Sequence, residues 1–413
     1  MIKTIKLLLV LVTLLILFVF LTDKGKLLAQ SSYIQWQLIS SDFDRPSDAD
    51  LNAYKAFHHT RYLEQTALQA GGTNKLLHSD KLPTEGKDHV VTPSLDLLYS
   101  KAVIDLSSGP VLLTMPNLEE KRYWSIHVTD QEHYTIFDEI RPTGKYLFVR
   151  QGHDVTASGD TTIISSRGNY PHLFIRIHVP TESDIPNVKI IQNKIQLSGT
   201  SKPLKIDNFI EFTVNSHSEH PQNEGLLEQA LEFSQSDYDR VTLWLKKRVV
   251  NILNNIGAFG AIDSTEPGSQ DRARRAVGMF GHLGLPLHHA FYTATIMNCD
   301  GLLLNGGRTE VLQFPYYPEG VKEFWSITRY SLLTRNTIPG KNDMFNAYNT
   351  QPDKDGLITI TFSHKDPKDG TYWMPVNKDE PYYYIGRYYQ PDNNNLPTNM
   401  CNEQHLANNT GQI

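Results

Sequence analysis

Asp96 and Tyr99 stand three residues apart where a turn enters a strand, so both side chains can project into one neighbourhood. A carboxylate there can act as a general base or orient a ligand hydroxyl, and a phenol beside it can donate a hydrogen bond. The same residues can instead serve local structure, Asp96 capping the turn and Tyr99 packing. A second set lies far along the chain: Trp325, Tyr330, Trp373, Arg387 and Tyr388. Their rings can build an apolar stacking wall, and the guanidinium can fork onto a carboxylate or phosphate. Large aromatics in strands are commonly core, so both readings stay open. Asp96 and Tyr99 are the candidate catalytic residues, and Trp325, Tyr330, Trp373 and Arg387 the candidate ligand-binding residues. The expectation is that both sets face one pocket.

The chain has 16 histidines, enough for a metal or acid–base site. His58 and His59 adjoin on a helix and point about 100° apart, which prevents them from clamping one ion. His288 and His289 sit in a turn that enters a strand, and His127 and His178 lie on the polar faces of two strands. Such histidines are more often hydrogen-bonded residues than ligands, so no metal-ligating set is assigned. The sequence contains no Gly-x-Ser-x-Gly elbow, phosphate loop, His-Glu-x-x-His helix or Gly-x-Gly-x-x-Gly turn. The cofactor is therefore unknown, and the substrate with it.

The elements that must position these residues are mostly strands. A helix is expected from Asp48 to Ala70, stopped by Gly71-Gly72. From Val90 short β-branched and aromatic runs are punctuated by Gly and Pro, an antiparallel sandwich pattern. In the run Tyr123 to Asp130, Trp124, Ile126 and Val128 alternate with Ser125, His127 and Thr129. In the run Leu173 to Val179, aliphatics alternate with Phe174, Arg176 and His178. One face should be core and the other wetter. The expected fold class is mainly β, two jelly-roll-like β-sandwiches joined by a helical segment. The divisions are a leading helix and sandwich over 45–200, a helical connector over 225–285 with a short helix near 270–280, a second sandwich over 286–392 and a mobile tail over 393–413.

Composition bounds the setting. Lys3 and Lys6 precede an apolar run from Leu7 to Leu21, so residues 1–29 read as a signal peptide or a membrane anchor. The remainder is expected in an extracytoplasmic space, periplasmic or secreted, touching a membrane only through that segment. Removing the segment's four lysines and one aspartate takes the formal charge from −6 to −9, an acidic balance that argues against nucleic acid as a partner. Cys299 and Cys401 permit one disulfide without requiring it.

Two regions carry a family resemblance. The first is Val91-Thr92-Pro93-Ser94-Leu95-Asp96-Leu97-Leu98-Tyr99-Ser100 followed by Asp105-Leu106-Ser107-Ser108-Gly109-Pro110. The second comprises Phe324-Trp325-Ser326, Trp373-Met374-Pro375 and Arg387-Tyr388 through Pro391. In that order they resemble the paired domain-of-unknown-function families 1254 (N-terminal) and 1214 (C-terminal). The resemblance implies two mainly β domains with intervening helices and no established activity. Ser94-Leu95 and Leu97 depart from the family's Asn-Asn and Thr, so any site built there is altered in this chain. Two function classes follow: a hydrolase-like small-molecule enzyme with a cleft between the domains, or a non-catalytic binding or structural protein of the envelope.

Overall fold

The computed structural model describes residues 45–203 apart from short stretches near 85–91, 119–121, 131–134 and 154–158, then 233–253 and 284–394, with isolated positions before 45. The expected leader, the helix near 270–280, Cys401 and the tail lie essentially outside the described residues. No described helix is long and apolar enough to cross a membrane.

The chain is mainly β. Helix α1, Asp48–Ala70, opens with a capping box: the Ser47 hydroxyl accepts the Asp50 N–H at 3.1 Å, and the Asp50 carboxylate accepts the Ser47 N–H at 3.2 Å. Gly71 closes it with φ 77°, a left-handed conformation that costs glycine least.

Among the described residues the N-terminal half has nine strands: β1 (Leu77–His78), β2 (Leu97–Val103), β3 (Val111–Met115), β4 (Trp124–Thr129), β5 (Thr135–Ile140), β6 (Gly144–Arg150), β7 (Thr161–Ser166), β8 (His172–His178) and β9 (Gln196–Ser198). They form sheets of order β1-β2-β8-β4-β5 and β7-β6-β3-β9. Leu98, Ile126, Val128, Ile175 and Ile177 from the first sheet pack on Leu113, Met115, Phe148 and Ile164 from the second. Helix α2, Ile185–Gln192, adds Val188 and Ile191 to that core. Each large aliphatic buried there stabilises the sandwich by about 1.5–3 kcal/mol relative to exposure.

Helix α3, Gln235–Leu253, precedes the C-terminal half. There follow β10 (Ala290–Thr295), β11 (Glu310–Pro315), β12 (Trp325–Ser331), β13 (Met344–Asn346), β14 (Leu357–Ser363), β15 (Tyr372–Pro375) and β16 (Tyr382–Tyr389). The sheets are β10-β16-β12-β13 and β11-β14-β15. Trp325, Ile327, Tyr384 and Tyr388 meet Leu312, Phe314, Ile360 and Met374 between them.

The expectation of one wet face per strand is overturned. Every residue of β4, β8, β12 and β16 is buried, on both faces. Helix α1 explains part of this, with Leu63 and Ala67 on Val103 of the first half and Leu51 and Tyr54 on Tyr330 and Tyr383 of the second. The rest comes from the halves covering each other: Leu97 and Tyr123 pack with Leu285, Ala290, Phe324 and Tyr389. The polar stripes read from sequence therefore line a seam between two sandwiches.

Candidate functional site

On the C-terminal side of the seam, cross-strand pairing sets Tyr292, Arg387, Ser326 and Asn346 in one row across β10, β16, β12 and β13. Strand alternation sends Trp325 and Ile327 into the core and Ser326, Thr328 and Tyr330 to the seam. Asp96, just before β2, enters this row. Its Oδ2 accepts the Ser326 hydroxyl at 2.5 Å and the Ser94 hydroxyl at 3.3 Å, and its Oδ1 accepts the Asn346 amide at 3.3 Å. Arg387 donates from Nη2 to the Tyr330 hydroxyl at 2.9 Å and the Thr92 carbonyl at 3.0 Å, and from Nη1 to Thr328 Oγ1 at 3.3 Å. Tyr330 donates to the Pro93 carbonyl at 2.6 Å. Burial raises the Asp96 pKa, against the opposing pull of Arg387, Ser326, Asn346 and Ser94.

Of the residues proposed from sequence, Asp96, Tyr330 and Arg387 thus meet. Trp325 and Trp373 do not join them, which corrects the expected aromatic wall. Trp325 meets Phe314 edge to face at 4.7 Å and donates its indole N–H to the Tyr316 carbonyl at 2.7 Å inside the C-terminal core. Trp373 belongs to β15 in the other sheet and donates to the Ser363 carbonyl at 3.1 Å. The reason is parity: Trp325 is one residue from Ser326 and so lies on the opposite face. Asp96 is itself enclosed by protein donors rather than presented to a ligand.

Tyr99 leads to a second cluster on the N-terminal side. Pairing places Tyr99, Arg176, Ser125 and Ile140 in one row, and Lys101, Phe174, His127 and Asp138 in the next row on that face. The Arg176 guanidinium lies 5.7 Å from the Tyr99 ring centre and 5.6 Å from that of Phe174, with Nη1 3.4 Å from His127 Nδ1. His127 Nε2 is 2.9 Å from the Thr135 hydroxyl. The turn before β10 brings His288 Nε2 and His289 Nε2 to 2.5 Å and 2.9 Å from Asp138 Oδ1, and the Tyr123 hydroxyl stands 3.3 Å from His289 Nδ1. Tyr292, whose hydroxyl accepts the Leu285 N–H at 3.1 Å, feels the charges of both Arg176 and Arg387.

The electrostatics of this cluster are graded. Burial, then the charge of Arg176, holds the His127 pKa well below its ordinary value, so the ring is neutral. Burial also lowers the pKa of His289, against the pull of Asp138. His288 moves the other way, because its hydrogen bond to Asp138 favours the charged ring. Burial would raise the Asp138 pKa, but the two imidazoles outweigh it and the carboxylate stays ionised far below the usual range. His289 is fully buried, whereas the side chains of Asp138 and His288 are 20% and 56% exposed. A run of titratable groups thus reaches from the seam to solvent. His178 stands apart, its ring packed at a tilt against Phe324 and Tyr348, its pKa pushed down to about 3 by burial and by Arg122.

Sequence reasoning weighed His127 with His178, and His288 with His289, and assigned a role to none of them; it gave no signal for Asp138 or Asn346. The polar stripes on β4 and β8 were the one available cue, since they marked the face on which Arg176 and His127 converge.

Residues 73–199 match the family described as protein of unknown function DUF1254, and residues 289–393 the family described as protein of unknown function DUF1214. The chain belongs to this paired family. Among solved structures, the VPA0106 protein of Vibrio parahaemolyticus is similar, with 20% identity, a TM-score of 0.59, and coverage of 86% of this chain and 96% of that one. A protein from Burkholderia cenocepacia is 10% identical with a TM-score of 0.47, covering 89% of this chain and 92% of its own. The likeness to VPA0106 shows a shared fold. No curated protein matches the chain.

Proposed function

We propose that this DUF1254–DUF1214 protein is an exported, hydrolase-like enzyme for a small molecule, with its reactive groups at the mouth of the seam. The single observation that carries this reading is the graded cluster of His127, Arg176, Asp138, His288 and His289. Its members differ in the way proton transfer requires. A carboxylate-held, solvent-facing imidazole at His288 can exchange a proton with a substrate, while His127, kept neutral by burial and Arg176, holds the Arg176 guanidinium and the Thr135 hydroxyl through its two ring nitrogens. The guanidinium of Arg176 supplies positive charge where an oxyanion would develop, with Tyr99 stacked beside it. Asp96, Tyr330 and Arg387 hold the second half in register behind this cluster.

A binding role without catalysis is favoured by one observation, the complete burial of His127 and Arg176. The two readings separate in a turnover assay on p-nitrophenyl esters and phosphates. Hydrolysis by the wild-type protein, reduced about 100-fold or more in His127→Gln and His288→Ala, supports the enzyme. Wild-type protein with no turnover above buffer, but with a ligand-dependent rise in melting temperature, supports the binding role.

Export has its own support in the charged-then-apolar order of residues 1–29. Carbonate extraction with N-terminal sequencing tests it. A cleaved or membrane-held chain is expected, and full-length protein in the soluble cytoplasm would contradict it.

A further inference from the structure

The geometry points to a divalent-metal site formed by Asp138, His288 and His289, which rests on the reading above for the ion's role but changes one part of it: a ligating His288 Nε2 carries no proton, so metal-bound water takes over the proton exchange. Consecutive residues in a strand point to opposite faces, and in a helix about 100° apart. The turn at 287–289 removes that restriction, and both Nε2 atoms converge on Asp138 Oδ1, at 2.5 Å and 2.9 Å. The three ligand atoms all lie within 4.8 Å of one another. Donors about 2.1 Å from a tetrahedral ion stand about 3.4 Å apart, so these side chains need to separate by less than about 1 Å to share one.

The surroundings fit the same assignment. A ligating histidine usually has its second ring nitrogen held, and the Tyr123 hydroxyl stands 3.3 Å from Nδ1 of the buried His289. Asp138 is fixed by β5, directly opposite His127 on β4. Two imidazoles and one carboxylate, with no thiolate, select a first-row divalent ion such as Zn²⁺ over Ca²⁺ or Mg²⁺. Three protein ligands leave coordination positions for water or a substrate oxygen, on the side where His288 meets solvent. The ion would then sit beside the neutral His127 and the Arg176 guanidinium, where it can polarise a substrate oxygen or activate water.

The site joins the two halves as well. Asp138 comes from the edge strand of the N-terminal sheet, and the histidines from the turn that begins the C-terminal sandwich. Bound metal therefore clamps the seam at its open end, while Asp96 and Arg387 hold it further in.

The test uses the full-length protein in detergent micelles, stripped with a chelator and titrated calorimetrically with Zn²⁺. One ion per chain is expected, with Co²⁺ giving a visible d–d absorption on the same site. His288→Ala and Asp138→Asn should each weaken Zn²⁺ binding at least 100-fold and abolish the Co²⁺ spectrum, whereas His364→Ala, away from the seam, changes neither. His288 is exposed, so its variant folds even where Asp138→Asn does not. Absence of stoichiometric Zn²⁺ binding, or undiminished binding in His288→Ala, overturns the site. Metal binding without turnover supports it while removing the enzyme reading. Turnover in a protein that takes up no Zn²⁺ leaves the enzyme reading and removes the metal.

Discussion

The two sandwiches meet through rows built alike: Tyr99, Arg176 and Ser125 on one side, Tyr292, Arg387 and Ser326 on the other. Each has an arginine on an inner strand between a tyrosine and a serine, and both arginines are buried. Their surroundings differ. Arg387 is closed in by the Tyr330 hydroxyl, the Thr92 carbonyl and the charge of Asp96. Arg176 lies against His127 and two rings, and the groups beyond it titrate and lead to solvent. The same row can thus fasten two domains or hold chemistry, depending on whether fixed donors or titratable groups complete it.

The largest effect should come from opening the closed row. Arg387→Met leaves Asp96 without its nearest cation and frees the Tyr330 hydroxyl and the Thr92 carbonyl. A loss of about 3–5 kcal/mol in urea unfolding is expected; an unchanged midpoint would move Arg387 out of the fastening role. Ser326→Ala should cost about 1–3 kcal/mol, because Asp96 Oδ2 keeps only the longer contact with Ser94. Either loss should be larger than that from truncating His288.

The histidines sharpen the comparison through pH. His178 has its folded pKa lowered to about 3, from an ordinary value near 6.5. Between those values the unfolded chain binds the extra proton, so stability falls as pH drops through that window. His127 acts in the same direction. His288, with a raised pKa, adds stability below its ordinary value and loses it as pH rises through the folded value. Its exposure keeps that contribution small. His178→Phe should flatten the acid loss of stability between pH 6.5 and pH 4, where one such group contributes at most about 1.4 kcal/mol per pH unit. An unaltered slope would mean that His178 does not titrate across unfolding.

Much of this fold was legible in the chain. The capped helix from Asp48, the strand runs and the aliphatic stripes of β4 and β8 follow from periods of 3.6 and 2 that need no tertiary information. Their polar stripes were legible too, yet not their burial, because a stripe facing solvent and one facing another domain have the same pattern. The candidate site was less legible for the same reason. Arg387 and Asp96 lie in the family motifs, and they and Tyr330 do meet, but Trp325, adjacent to Ser326, lies on the wrong face. Asp138 and the pair His288–His289 are 150 residues apart, and only the docking of two sandwiches makes them neighbours. No local rule marks such a pairing.

Equilibrium urea unfolding of Asp96→Asn and His288→Ala beside the wild type distinguishes a row that fastens the two sandwiches from one that leads to titratable, solvent-facing groups. Asp96→Asn should lose about 1–3 kcal/mol, because an amide has one acceptor oxygen and cannot accept from Ser326 and Ser94 on one side and Asn346 on the other. With metal removed by chelator, so that no ligand linkage enters, His288→Ala should stay within about 0.5 kcal/mol of wild type, as an exposed side chain does. Equal losses in the two variants, or an Asp96→Asn protein as stable as wild type, would contradict the account.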